Sequence, residues 1–133
     1  MNLRFLETFV WVARLRNFSL AAEKLCTTQA AVSNRIATLE RELEVSRRYL
    51  EIEALRLGDR LQTRWEVASL PGGALLPALT VQPLLENAVS HGIEPSPTGG
   101  LVSITGRVVE GVLEVRVPVP EQQRKTREIP IKT

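Results

Sequence analysis

The chain has one cysteine, one histidine and few aromatic residues, and it lacks any long apolar run. A single cysteine excludes an internal disulfide, so nothing favours an oxidising compartment. We predict that Cys26 is a small buried apolar residue, because no basic or histidine neighbour in the sequence favours a reactive thiol. No segment approaches the roughly 18 apolar residues that span a bilayer, and Glu7 and two arginines argue against a signal peptide. We therefore expect a cytoplasmic protein without membrane contact.

The composition is that of a folded chain with little net charge. Its 133 residues are 44% hydrophobic and 24% charged, enough for one ordinary domain or two very small ones. The net charge of +2 is confined to residues 1–42, which hold six Lys/Arg and four Asp/Glu; residues 43–133 hold eleven of each. The surplus has the sign that phosphate contact requires, but it is too small to establish nucleic-acid binding.

The N-terminal third predicts three helices. Leu3, Leu6 and Val10 recur at helical spacing, and Ser19 offers an N-cap oxygen to a short helix over residues 20–25. Thr28, or the threonine before it, can cap a third helix that starts at Gln29. Two short helices joined by about three residues are typical of a helix-turn-helix.

The third helix has an apolar and a polar side. Val32, Ile36 and Leu39 lie on its inward face, whereas Gln29, Ser33 and Asn34 lie outward with Arg35 close by. Glutamine and asparagine side chains can bond to adenine and arginine to guanine or phosphate, so these residue types suit the DNA major groove. Periodicity alone leaves an ordinary solvated polar face as an equal interpretation.

A longer pattern favours the first interpretation: FLETFVWVARLRNFSLAAEKLCTTQAAVSNRIATLEREL closely resembles the N-terminal domain of LysR-type transcriptional regulators. The resemblance implies a helix-turn-helix of the winged-helix type at residues 18–37. The family's β-hairpin wing is replaced here by EVSRRYLEIEALRLGDRL. The DNA-facing residues that the resemblance implies are Thr28, Gln29, Ala31, Ser33, Asn34 and Arg35.

A long connecting helix is predicted next, because residues 28–57 contain no glycine or proline. Ile36, Leu43, Leu50 and Leu57 recur every seven residues, but the companion positions become polar at Ser46 and Glu53. A homodimer contact around Ile36, Leu43 and Leu50 is one interpretation of this spacing. Packing against the C-terminal part of the chain is the other.

The remainder predicts a small sheet with one helix. Residues 61–68 alternate as a strand with Leu61, Trp65 and Val67 on one face, and a helix runs from about residue 81 or 83 to His91. Residues 101–108 and 112–117 form a hairpin, which gives about three strands. The polar tail, residues 121–133, is predicted to be frayed.

Residues 44–117 are similar to sensor histidine kinases of the LytS and AlgZ type, through SRRYLEIEALRLGDRLQTRWEV and LLPALTVQPLLENAVSHGIEP. QPLLENAVSHGI resembles the N-box helix of their ATP-binding domain. The resemblance implies that Asn87 ligates Mg²⁺, that Glu86 and His91 lie beside the ATP phosphates and that Gln82 belongs to the same helix. From the residues alone, the favoured interpretation of His91 is a solvated cation at a helix end, and that of the Glu-Asn pair is ordinary polar surface.

The kinase resemblance is incomplete. His91 is the sole histidine, so the phosphoacceptor is missing, and the expected glycine-rich nucleotide boxes do not follow the hairpin. A nucleotide requires a lid that holds its phosphates as well as the Mg²⁺ ligand. We therefore expect no kinase activity and no cofactor, with ATP and Mg²⁺ relevant only if this fragment is competent.

Together these patterns predict an α+β chain made from two incomplete families, joined at residues 42–45. We expect a LysR-like domain at 1–43, a connecting helix at 44–58, a partial α/β sandwich of the histidine-kinase ATPase type at 59–117 and a polar tail at 118–133. The expected function is that of a sequence-specific transcriptional regulator that binds double-stranded DNA and carries a vestigial kinase-derived segment. The alternatives are a truncated ATP-binding module of two-component signalling and a fusion product without selected activity.

Overall fold

The structure is a computed structural model that describes residues 2–110, 112–116 and 126–130. Its fold is α+β, as predicted, with helices followed by small sheets. The helices are α1 (Leu3–Leu15), α2 (Phe18–Lys24), α3 (Gln29–Arg35), α4 (Leu39–Leu57) and α5 (Gln82–Ala88). The strands are β1 (Ile36–Thr38), β2 (Leu61–Glu66), β3 (Leu75–Pro77), β4 (Gly100–Val109), β5 (Val112–Arg116) and β6 (Thr126–Pro130).

Short polar side chains start the N-terminal helices. The Asn17 side chain accepts a hydrogen bond from the Leu20 amide at 2.9 Å and caps α2, so the prediction that Ser19 is the cap is wrong. Thr28 caps α3 as predicted, because its hydroxyl oxygen accepts from the Ala31 amide at 3.0 Å. These caps satisfy amides that have no partner within the helix.

The first three helices enclose a smaller core. Ala21 and Val32 are fully buried in it, and the two alanines of α2 have side chains small enough to let the helices approach closely. The predicted helix-turn-helix is therefore present, with α2 and α3 as its two helices. The buried members of this smaller core are Phe9, Val12, Ala21, Ala22, Val32 and Ile36.

The prediction of an unbroken helix over residues 28–57 is wrong. α3 ends at Arg35, and β1 pairs antiparallel with β3 so that Ala37 lies opposite Leu76. The Arg35 carbonyl accepts from the Ala78 amide at 2.9 Å just before the strand, and the Leu39 amide donates to the Ala74 carbonyl at 2.8 Å just after it. The pairing thus replaces helical hydrogen bonds without a glycine or proline to end the helix.

The loop before β3 accepts hydrogen bonds from backbone amides in the first turn of α4. The amides of Leu39 and Glu40 donate to the carbonyls of Ala74 and Gly72, and the Arg41 amide donates to the Thr38 hydroxyl oxygen at 3.3 Å. The helix then continues through residues 42–45, so the two resemblances meet inside a regular element. Its last residue is Leu57, and a 3₁₀ turn follows at Gly58–Arg60.

The residues spaced by seven pack within the chain. Leu50 is 2% exposed and Leu57 9% exposed, both in a larger core that α4 forms with α5 and the sheet, and Leu43 packs against the same core. Ile36 lies in β1 and is buried in the smaller core. Leu43, Leu50 and Leu57 therefore pack against the C-terminal part of the chain, as the second interpretation predicted, and the homodimer contact stays a prediction.

One four-stranded sheet, in the order β2-β4-β5-β6, carries the larger core on one face. β2 runs parallel to β4, the other pairs are antiparallel, and Val102 and Ile104 of β4 are fully buried. The predicted frayed tail is wrong at residues 126–130, which form β6 against β5, whereas residues 117–125 and 131–133 lie outside the described part. Pro130 is tolerated because β6 is an edge strand.

Glu42, at the predicted join, is buried and links α4 to the start of α5. One carboxylate oxygen accepts from the Thr80 amide at 2.6 Å and from the Val81 amide at 3.4 Å, directly before α5 begins. One turn further along α4, the buried Ser46 hydroxyl donates to the Glu42 carbonyl at 2.7 Å. This carboxylate supplies hydrogen bonds that the buried amides could otherwise obtain only from water.

Substitution of Glu42 tests this link. Glu42→Ala leaves buried amides without an acceptor and should lower the free energy of unfolding by about 1–3 kcal/mol. Glu42→Gln keeps an acceptor oxygen and should lose less. The matched control is Glu44→Ala on the same helix, whose exposed ion pair with Arg48 should contribute less than about 0.5 kcal/mol. Urea denaturation followed by circular dichroism measures all three, and equal losses for Glu42→Ala and Glu44→Ala would contradict the link.

The sole tyrosine reports how closely α4 packs on the larger core. Burial, followed by the negative charges of Glu53 and Glu86, raises the pKa of Tyr49 from 10.0 to about 12. Because the folded pKa exceeds the unfolded one, the neutral phenol contributes stability below pH 10 that is lost as the pH rises towards 12. A tyrosinate absorbance titration should therefore show a midpoint near 12 in native protein and near 10 in denaturant. A native midpoint near 10 would show that Tyr49 is solvated.

Candidate nucleic-acid interface

The turn between α2 and α3 exposes the start of α3. Cys26 adopts a left-handed backbone with φ of 53°, which reverses the chain after α2. Its side chain is exposed, so the prediction that Cys26 is buried is wrong. The left-handed turn directs this side chain away from the smaller core, which Ala22 and Val32 fill from the neighbouring helices.

Four of the six predicted DNA-facing residues form one exposed surface, which we term the α3 face: Thr28, Gln29, Ser33 and Asn34. Ala31 is half-buried at its edge. All are held in place by the smaller core beneath α3, where Val32 is fully buried. The α3 face presents two amides and two hydroxyls, which can donate and accept hydrogen bonds at base edges.

Arg35 lies apart from these four exposed residues, and its predicted contact with DNA stays a prediction. It is half-buried, and its guanidinium donates to the Thr8 hydroxyl oxygen at 3.3 Å across the interface with α1. Thr8 is fully buried and donates in turn to the Arg4 carbonyl at 2.7 Å. Arg35 therefore joins α3 to α1 at the point where α3 ends, instead of extending the α3 face.

A hydrogen bond between α2 and α3 was missed by the sequence reasoning. The Ser19 hydroxyl donates to the Gln29 side-chain oxygen at 3.0 Å, and both residues are exposed. Ser19 is available for this contact because Asn17 caps α2. The cap-forming types Asn17 and Ser19 stand two residues apart, so the sequence did not distinguish their roles.

Exposed cations lie beside the helix-turn-helix. The side chains of Arg14 and Lys24 lie 5.6 and 4.9 Å from the centroid of the Trp11 ring, which brings the last turns of α1 and α2 together. Arg16, directly after α1, is also exposed. All three cations are exposed to an anionic partner, and the Trp11 ring contacts two of them, Arg14 and Lys24.

The second set of predicted site residues lies on α5 and the π-helical turn that follows it, Val89–Ile93. The Gln82 side-chain amide donates to the Glu86 carboxylate at 3.0 Å, Asn87 is half-buried and His91 is exposed. Within residues 2–110, 112–116 and 126–130, no three His, Cys, Asp or Glu side chains are grouped to hold a metal ion. The predicted contacts of Asn87 with Mg²⁺ and of Glu86 and His91 with nucleotide phosphates stay predictions. No helix among these residues has the length and hydropathy of a membrane span.

Residues 3–46 match the family model described as bacterial regulatory helix-turn-helix protein, lysR family. The match covers α1 to α3, β1 and the first part of α4. This part of the chain is therefore a LysR-type helix-turn-helix segment, as the sequence predicted.

Three curated relatives represent two kinds of protein, and the chain spans less than half the length of each. An uncharacterized HTH-type transcriptional regulator of Azotobacter vinelandii, from the ibpB-leuC intergenic region, is 43% identical over 77 residues, which cover 58% of this chain and 46% of that protein. The sensor histidine kinase YpdA of Escherichia coli is 36% identical over 81 residues, 61% of this chain and 14% of that protein. The sensor histidine kinase YesM of Bacillus subtilis is 26% identical over 118 residues, 84% of this chain and 20% of that protein.

The two classes of match share residues. The regulator covers 58% and YpdA 61% of this chain, so the matches together exceed its length and must overlap. Both are also longer than the segment at residues 3–46, so each includes residues beyond it. The findings are consistent with a fusion.

Proposed function

We propose that this chain is a sequence-specific DNA-binding transcriptional regulator of LysR-like type, in which the kinase-like part serves as a scaffold for the recognition helix. The observation that carries the proposal is the α3 face: exposed amides and hydroxyls on a short helix whose other side is fixed by the smaller core. A polar face on a rigid helix of a LysR-type segment is suited to the major groove. Gln29 and Asn34 would contact base edges, and Ser33 would bond to a base or phosphate.

Phosphate contact would come from the exposed cations beside the helices. Arg14, Arg16 and Lys24 supply positive charge, whereas residues 43–133 have no net charge and would add no overall attraction. The chain after α3 continues as β1, α4 and β2 through residue 66, so no hairpin wing directly follows the recognition helix. We therefore propose binding that is strongest at low salt and weakens as salt replaces the phosphate contacts.

Fluorescence anisotropy with a selected duplex tests the proposal. The affinity should fall linearly with salt on logarithmic axes, and Asn34→Ala should weaken binding by about 1–3 kcal/mol through loss of a base contact. Gln62→Ala, an exposed amide on β2, is the matched control and should bind as tightly as the unchanged chain. The proposal fails if no duplex from a random pool is retained at low salt.

We also propose that the kinase-like part transfers no phosphate and needs no nucleotide. His91 is the sole histidine in the sequence, and it lies exposed in the turn after α5. The truncated ATP-binding module remains the second candidate because Asn87 and Glu86 stand together on one helix. Thermal melting with Mg-ATP distinguishes the two. If the kinase-like part is only a scaffold, Mg-ATP should leave the melting temperature unchanged. A rise in melting temperature that requires Mg²⁺ and is lost in Asn87→Ala would instead establish nucleotide binding.

A further inference from the structure

We propose that Ser19 is a positioning residue that sets the orientation of the Gln29 amide and thereby the base edge that Gln29 recognises. This inference rests on the proposed function, since it concerns how the α3 face reads DNA. Its basis is the hydrogen bond from the Ser19 hydroxyl to the Gln29 side-chain oxygen, 3.0 Å long, between the second residue of α2 and the first residue of α3.

Neither helix needs this bond for its own structure. Asn17 caps α2 and Thr28 caps α3. Neither the Ser19 hydroxyl nor the Gln29 side-chain amide is therefore needed as a cap. Both residues are exposed. A solvent-exposed hydrogen bond of this kind adds little to stability. Its main consequence is the orientation that it gives to an amide on the α3 face.

A free glutamine can turn either its oxygen or its nitrogen towards a base, and it loses side-chain freedom when it does so. With its oxygen accepting from Ser19, Gln29 has its two amide hydrogens available as donors. Guanine, adenine and thymine each present an acceptor in the major groove, whereas cytosine presents only its amino donor. Ser19 therefore favours the first three bases over cytosine at the position that Gln29 contacts.

The experiment measures dissociation constants for duplexes that carry each of the four bases at every position of the selected site. Gln29→Ala identifies the contacted position as the one where base preference is lost. At that position, Ser19→Ala should lower the discrimination against cytosine about three- to tenfold, the range expected for one hydrogen bond. Ser19→Thr retains the hydroxyl and should retain the discrimination. The salt dependence should be unchanged in all three variants, because no phosphate contact is removed.

A second measurement tests the bond in the free protein. The side-chain amide of Gln29 should show restricted motion by nuclear magnetic resonance relaxation, and Ser19→Ala should release it while the melting temperature stays unchanged. Equal mobility in the two proteins would overturn the positioning role without reference to DNA.

The outcomes separate this inference from the proposed function. If the unchanged chain binds no duplex, the proposed function fails and the reading role of Ser19 fails with it. If the chain binds but Ser19→Ala keeps the same base preference, only the positioning role fails. A uniform loss of affinity with a shallower salt dependence would instead make Ser19 a phosphate contact and overturn the inference.

Discussion

The antiparallel pairing of β1 with β3 is the constraint on which the rest of the structure depends. It ends the recognition helix at Arg35 and opens α4 at Leu39, so it sets the direction in which the chain leaves the helix-turn-helix. Neighbouring side chains of a strand point to opposite faces, so the two faces of β3 can pack against different cores. Leu75 packs against the smaller core, whereas Leu76 is fully buried in the larger core.

This arrangement bears on whether a chain of two origins can form one unit. A four-stranded sheet with one short helix is a small unit, and three helices with a core of six buried residues would be marginal alone. The pairing of β1 with β3 and the hydrogen bond from the Thr80 amide to the Glu42 carboxylate connect the two parts. From these contacts we expect the residues that the structure describes to unfold together.

Local patterns predicted the elements whose signals are local. The periodicity of α1, the Thr28 cap, the helix carrying Gln82 and Asn87, and the hairpin of β4 and β5 all follow from residues within one or two turns of each other. The errors at β1 and β6 concern partners far along the chain. β1 is extended because β3, 39 residues away, accepts and donates its hydrogen bonds, and β6 forms because β5 is present to pair with it.

The candidate site shows the same division. Helical spacing and family resemblance were enough to select Gln29, Ser33 and Asn34, which are exposed together on α3. Spacing could not show that Arg35 bonds to α1, because Thr8 lies 27 residues earlier in the chain. The Ser19 contact was equally hidden, since a serine near a helix start has the same sequence signature whether it caps the helix or bonds to another one.

Amide hydrogen exchange at Leu39 and Ala78 tests the central claim most directly, because these amides donate across the join to the carbonyls of Ala74 and Arg35. If the kinase-like part holds the recognition helix, both amides should exchange slowly and share one opening free energy with the Leu85 amide in the larger core. Exchange of Leu39 and Ala78 at the rate of an unstructured peptide, with α1 and α4 still protected, would contradict the account. It would mean that the two parts fold without holding each other.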